Sequence, residues 1–192
     1  MLIVIDPGHG GRDPGAVGPA GVRESDINLQ VALRLEQLLI RGRHKTILTR
    51  REDDYISLAE RAAIANKAGA DCFISLHCNA ATSRQAHGFE VWTSPGKTRA
   101  DPLATQIAAA WAKEFPEITI RADWSDGDID KEARFYVLMN TVAPAALLEM
   151  QFISHPQWEQ WLGVPLNQER ISAAVADGVE AWGRESQIGG AP

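Results

Sequence analysis

Apolar and polar positions alternate between two periods along the chain. Leu2-Ile3-Val4-Ile5 is a short, wholly apolar run closed by the turn-rich Asp6-Pro7-Gly8-His9-Gly10-Gly11. A strand buried on both faces reads this way. Ile27, Val31, Leu35 and Leu38 then recur at helical spacing behind Ser25, which is placed to cap, and Gly42 is placed to end the helix. Thr46 to Thr49 predicts a second strand. Ser57-Leu58-Ala59-Glu60 is a capping-box pattern, followed by Ala62, Ala65 and Ala68 and closed by Gly69. Cys72 to Leu76 is another apolar run, ending at His77. Gly88 to Thr93 alternates Phe89 and Val91 with Glu90 and Trp92 as a half-buried strand does.

A helix is predicted over about 101–114, with Leu103, Ile107, Ala110 and Trp111 on it and Pro116 as its stop. Phe135 to Leu138 and Ala146 to Met150 are two further strand candidates. The last helix, over about 167–184, carries Ile171, Val175, Val179 and Trp182 on one face. The order of elements predicts an α/β fold: a single-domain layered sandwich, with a mostly parallel or mixed central sheet flanked by helices. Residues 1–185 form the domain in this reading, and the Gly-rich 186–192 is a frayed C-terminal tail.

The length of 192 residues suits one domain. Such a chain buries roughly 70% of its unfolded surface, so it needs no disulfide staples. Apolar residues at 45% and charged ones at 23% are ordinary for a globular protein. The net charge of −6, with no basic cluster, argues against nucleic acid as a partner. No run reaches membrane-spanning length. No basic segment precedes the first strand, so as written the chain is expected to stay in the cytoplasm that makes it, although removal of a leader would leave the same sequence. Cys72 and Cys78 lie in one predicted strand, about 20 Å apart at roughly 3.3 Å per residue. A disulfide needs Cα atoms within about 7 Å, so two buried thiols are expected.

Asp123-Trp124-Ser125-Asp126-Gly127-Asp128-Ile129-Asp130 invites a calcium reading. A calcium loop needs Gly at its sixth position and Glu at its twelfth. Counted from Asp126 these are Lys131 and Val137, so a solvated loop is expected instead.

The chemistry gathers on four residues. Of the five histidines, His9 and His77 each stand where an apolar strand run ends. In open α/β sheets ligands bind at the carboxyl edge of the strands. Two histidines and one carboxylate make a catalytic zinc set with a position left for water. Glu24, ending a Gly- and Pro-rich loop, is the natural third ligand; its bland alternative is an acid favouring the start of a helix. Glu149 sits within Ala145-Ala146-Leu147-Leu148-Glu149-Met150-Gln151-Phe152, where a carboxylate is costly unless paired or functional. Its bland alternative is an outward-facing strand residue, between Leu148 and Met150 facing the other way.

Five segments resemble, in order, the zinc-dependent N-acetylmuramoyl-L-alanine amidases of bacteria and phages. They are Val4-Ile5-Asp6-Pro7-Gly8-His9-Gly10-Gly11, Gly21-Val22-Arg23-Glu24-Ser25, Ile74-Ser75-Leu76-His77-Cys78-Asn79-Ala80, Tyr136-Val137-Leu138, and Pro144 to Ser154 around Glu149. Arg61 with Ala65-Asn66, and Gly88-Phe89-Glu90-Val91, are weaker traits of the same kind. The likeness runs over about residues 2–183. It implies one zinc ion on His9, Glu24 and His77, with Glu149 as catalytic base. It also implies cleavage of the amide between N-acetylmuramic acid and the L-alanine of the peptidoglycan stem peptide. Zinc would make hydroxide available near neutral pH, and Glu149 would move the proton to the leaving amine.

Three residues depart from the pattern: Cys78 where a small residue is usual, Gln151 where glycine is common, and His155 where asparagine follows the serine. Cys78 as a ligand is disfavoured because adjacent strand residues face opposite ways. Gln151 and His155, just past Glu149, are candidates to touch substrate. Asn79 and Asp6 are candidates to orient the histidines, Asp6 alternatively capping its loop. Trp124 and Tyr136 either line the groove or are merely exposed.

Two rival readings are a zinc peptidase acting on stem peptides and a non-catalytic wall-binding or regulatory module. A compact chain without a leader suits a phage lysis enzyme (an endolysin) released onto a thin wall; a secreted wall-remodelling enzyme is the alternative. Many secreted relatives carry a helix that blocks the site. Residues 94–134 offer one ordinary helix, so a monomer active without a protein activator is expected.

Overall fold

In the computed structural model residues 1–125 and 127–188 are described, with side chains as far as 186. The elements in chain order are β1 (Leu2–Pro7), α1 (Glu24–Arg41), β2 (Lys45–Leu48), α2 (Leu58–Ala68), β3 (Cys72–Asn79) and β4 (Glu90–Thr93). They continue with α3 (Asp101–Glu114), β5 (Lys131–Glu132), α4 (Tyr136–Asn140), β6 (Ala145–Phe152), α5 (Pro156–Gly163) and α6 (Pro165–Ile188).

One mixed sheet of six strands runs in the order β2-β1-β3-β6-β4-β5. All pairs are parallel except β4 with β6. Alternation along the strands sorts the core into two layers. Ile3, Ile5, Ile74, Leu76, Ala146 and Leu148 pack on the side of α1, α3 and α6. Val4, Phe73, Ala145 and Leu147 pack with Ala65 of α2 and Val137 and Leu138 of α4 on the other. The layered α/β sandwich expected from the sequence is the observed architecture. In the thicker layer Trp111 is fully buried between Phe89 and Phe115, with ring centroids at 4.1 and 4.8 Å. Each such side chain contributes about 1.5–3 kcal/mol of transfer free energy.

The chain leaves β1 toward β2 and returns to β3 on the other side of β1, so the strand order reverses there. A crevice opens at the carboxyl ends of such a pair. The ends of β1, β3 and β6 share that edge, and antiparallel β4 brings its amino end to it. On the α2/α4 side His77 of β3 and Leu147 and Glu149 of β6 line a cavity.

Several boundaries differ from the sequence reading. Phe135 to Leu138 is not a strand: Tyr136–Asn140 is a short helix behind an extended Phe135. Val137 and Leu138 are buried while Phe135, Tyr136 and Met139 are exposed, and periodicity cannot assign so short an apolar run. Ser25 does not cap α1. The helix starts at Glu24, Arg23 holds the cap position, and no side chain caps it. The Ser57/Glu60 capping box and the left-handed Gly69 are present as expected. Helix α6 extends to Ile188, past the expected start of a tail at 186, and Gly189 to Pro192 lie outside the described residues. Around the acidic segment Asp126 is likewise outside them, and Asp130 is buried, contrary to a wholly solvated loop. Cys72 and Cys78 are both free and buried; burial pushes the Cys72 thiol up to about 12.

Candidate active site

The site begins where β1 ends. His9 adopts φ +60°, unusual for a residue with a side chain. Two buried guanidinium groups hold that bend. Arg61 donates from Nη2 to the His9 carbonyl at 2.7 Å, and from Nη1 to Asp6 Oδ1 and the Pro7 carbonyl, both at 2.7 Å. Arg50 donates to the Pro7 carbonyl at 3.0 Å, and from Nη2 to the carbonyls of Gly8 at 2.9 Å and Ser25 at 2.8 Å. These bonds satisfy carbonyls that a buried loop would otherwise leave unpaired. Asp6 also accepts from Thr49 Oγ1 at 2.6 Å and Ser75 Oγ at 2.8 Å. It therefore braces the loop, and it neither orients a histidine ring nor caps its own turn.

Gly8 is required by close approach, because a Cβ there would collide with the His77 ring. Chain direction and β3 carry His77 alongside, with the two imidazole centroids 4.9 Å apart and nearly perpendicular. From the start of α1, Glu24 reaches both rings. Its Oε1 is 3.2 Å from His9 Nε2 and 2.9 Å from His77 Nδ1. Oε1 further accepts from the Cys78 amide at 3.1 Å and Asn28 Nδ2 at 3.3 Å, while Oε2 accepts from the Ala16 amide at 2.8 Å. Burial alone would raise the pKa of Glu24, but the hydrogen bonds and charges of His77 and His9 outweigh it and hold the carboxyl far below its usual range. For His9, burial works against protonation, but Glu24 and Asp13 prevail and raise its pKa above 6.5.

The ligand-type atoms of His9, Glu24 and His77 all lie within 4.8 Å of one another. Ligands about 2.0–2.1 Å from a tetrahedral zinc stand roughly 3.3–3.4 Å apart, so this donor set fits such an ion with little adjustment. Asp13 completes it: its Oδ2 bonds His9 Nδ1 at 2.9 Å and leaves Nε2 facing Glu24 and His77. That is the carboxylate–histidine arrangement that orients metal ligands.

Glu149 is the register partner of His77 on β6, on the same face of the sheet. Its Oε2 is buried and has no hydrogen-bond partner among the described residues. Burial, then the charges of Glu24 and Glu90, pushes this carboxyl well above its usual range. His9, His77, Glu149, Tyr136, Tyr55 and Arg61 are among the residues lining a cavity of about 440 Å³. Two histidines and a carboxyl of raised proton affinity thus face one open groove, with the ionised Glu24 against both rings.

Other sequence candidates are not brought to this point. Cys78 turns to the far face, its Sγ buried 3.6 Å from Asn28 Oδ1. Asn79 donates to Glu90 Oε2 at 3.0 Å and makes no hydrogen bond to His9 or His77. Gln151 is fully buried, its Oε1 accepting from the Gly88 and Phe152 amides, so it supports the backbone. His155 caps α5 through its Nδ1, which accepts from the Gln157 amide at 3.2 Å. Trp124 lines a separate hollow of about 260 Å³, whereas Tyr136 lines the groove. Asp13, Arg50, Asn28 and Glu90 were not singled out from sequence as site residues. Asp13 stands four residues from His9 in a Gly- and Pro-rich loop, a readable signal for a partner to that histidine; the other three take their roles from tertiary neighbours.

Comparison with known proteins agrees with the geometry. Residues 3–181 match the family model described as N-acetylmuramoyl-L-alanine amidase. The amidase AmiC of Escherichia coli O6:H1 is 32% identical over 95% of this chain, which spans about half (52%) of that protein. The amidase AmiA of Escherichia coli K12 is 29% identical over 94% of this chain and 75% of its own. Among solved structures, the amidase AmiC2 of Nostoc punctiforme superposes with a TM-score of 0.87 at 29% identity, covering 96% of this chain and 97% of that one. The catalytic domain of CwlV from Bacillus (Paenibacillus) polymyxa also superposes with a TM-score of 0.87, at 29% identity over 95% and 98%. With its fold, its gathered His9, Glu24 and His77, and a family match over nearly its whole length, the chain belongs to the N-acetylmuramoyl-L-alanine amidase family.

Proposed function

We propose that this chain hydrolyses peptidoglycan at the amide joining N-acetylmuramic acid to the L-alanine of the stem peptide, with a zinc ion that His9, Glu24 and His77 would hold. The observation that carries this reading is the convergence of one ligand atom from each of these residues within 4.8 Å, beside Glu149 on the paired strand. When bound, zinc supplies a Lewis acid that polarises the amide carbonyl and lowers the pKa of water from 15.7 to about 7.

The protein side of the reaction falls to a few groups. Glu24, held ionised, and the two imidazoles would hold the ion. Asp13 and Arg61 fix His9. Glu149 Oε2 takes a proton from the attacking water and hands it to the leaving amine, a transfer suited to a carboxyl whose affinity for protons is raised. Tyr55, Ile56, Phe135 and Tyr136 line the groove on the α2/α4 side, where they can contact substrate.

The full donor set together with Glu149 favours an enzyme over a non-catalytic wall-binding module. The family match favours the muramoyl–L-alanine amide over the peptide bonds within the stem. The bacterial amidases it resembles favour wall remodelling over the phage lysis role suggested by the sequence alone. We further propose activity without a protein activator. In support, α3 of the 94–134 segment packs against α6 on the far layer, and His9 and His77 keep 26% and 19% side-chain exposure. The test is mass spectrometry of purified peptidoglycan digested by the zinc-loaded protein, with and without a chelator. Free stem peptides with amino-terminal L-alanine, lost on chelation, are expected; cut peptides or disaccharides would replace the reading.

A further inference from the structure

Directly across from Glu149, on antiparallel β4, stands Glu90. It is only 3% exposed, yet both carboxylate oxygens are doubly bonded by donors. Oε1 accepts from Arg121 Nε at 2.7 Å and Lys131 Nζ at 3.0 Å. Oε2 accepts from Asn79 Nδ2 at 3.0 Å and Trp92 Nε1 at 3.2 Å. A buried carboxylate is tolerated on these terms, and removing one partner is costly. Cross-strand partners point to one face, so Glu90 and what it holds share the open face with Glu149.

Arg121 is fixed at one end only. Its guanidinium lies over the Phe152 ring, 5.2 Å from the centroid, and its side chain is 42% exposed. Among the described residues its Nη1 and Nη2 make no hydrogen bond. Lys131 is more committed: it lies over the Trp92 ring at 4.9 Å, donates to Glu90 Oε1 at 3.0 Å, and its side chain is only 21% exposed. The uncommitted edge of Arg121 is a planar pair of donors, the geometry that fits a carboxylate. His77, Glu149 and Glu90 are successive register partners, so at about 4.8 Å per strand Glu90 lies roughly 10 Å from His77.

We propose that Arg121, anchored by Glu90, binds a free carboxylate of the stem peptide, on the amine side of the scissile bond. This rests on the amidase reading. The sugars on the other side of the cut are uncharged, whereas stem peptides carry free carboxyl groups. At about 3.3–3.6 Å per extended residue, a carboxylate two or three residues beyond the cut reaches that far. Arg121 thereby makes the enzyme sensitive to whether those carboxyls are free or amidated.

The experiment uses the zinc-loaded protein and two soluble muramyl peptides of one sequence, with the stem carboxyls either free or converted to carboxamides. KM and kcat are measured for each. The wild type should prefer the free acid by about tenfold to a hundredfold, seen mainly in KM, as expected for a charged hydrogen bond. In Arg121→Ala the preference should fall to near unity, and Arg121→Lys should keep part of it. A wild-type preference near unity would overturn the subsite while leaving the amidase reading intact. An Arg121→Ala variant that slows both substrates in proportion would also overturn it, since that marks a merely structural role. Cleavage of neither substrate by the wild type would remove the amidase reading and this proposal together.

Discussion

Arg61 grips His9 from behind, its Nη2 bonded to the His9 carbonyl at 2.7 Å while its Nη1 is paired with Asp6 at 2.7 Å. Both members of that ion pair are nearly fully buried, with side-chain exposures of 3% and 1%. One guanidinium therefore sets the left-handed bend that aims the imidazole and also neutralises the carboxylate beneath it.

Replacing Arg61 by Met should strand the Asp6 carboxylate in the interior. The expected loss is about 3–5 kcal/mol of unfolding free energy, as for other broken buried pairs. Denaturant melts of the chelated protein read this apart from metal binding. A loss under about 1 kcal/mol, the size of an exposed pair, would show that the brace carries little.

Gly8→Ala acts directly on the proposed zinc site. The added methyl meets the His77 ring, so the ring must rotate away from Glu24. Zinc affinity should fall about 10- to 100-fold, the range seen when a ligand's support is removed. Competition with a chromophoric chelator measures it. Unchanged affinity would mean that His77 is not the ligand aimed at Glu24.

A separate pH effect is built into the loop after α3. Asp130 is buried against Thr93 Oγ1, and burial, with Asp128 close by, raises its carboxyl from 3.8 to about 7. The folded state therefore holds this proton more tightly than the unfolded chain. The stability it contributes is present below the unfolded value of 3.8, declines as pH rises, and is gone above about 7. Asp130→Asn should flatten that decline, melting higher than wild type at pH 8 relative to pH 4. Parallel melting curves across the range would contradict the assignment.

Much of this was legible from pattern. His9 and His77 were readable because each closes an apolar strand run, and Glu149 because a carboxylate interrupts one. Glu24 was set beside them by the resemblance, since alone it reads as an acid favouring the start of a helix. What escaped was decided by contacts between distant segments. Arg61 and Asp6 are 55 positions apart, and no periodicity announces that pairing. Glu90 looked like the polar half of a strand alternation, and only the antiparallel pairing of β4 with β6 sets it against Glu149. The segment Tyr136–Asn140 went wrong for a different reason. Val137-Leu138 is too short for period 2 or 3.6 to assert itself, and the packing of Val137 and Leu138 with Ala65 of α2 decided for a helix.

The most direct test of the central claim is the turnover of zinc-loaded Glu149→Gln on purified peptidoglycan, with bound zinc quantified in the same sample. Glutamine keeps the shape and burial of the side chain but cannot pass a proton. The account predicts that zinc stays bound to His9, Glu24 and His77 while amide cleavage falls about 10²- to 10⁴-fold, the usual contribution of general acid–base catalysis. Near-normal turnover with zinc in place would contradict it, and the proton would have to travel through another group.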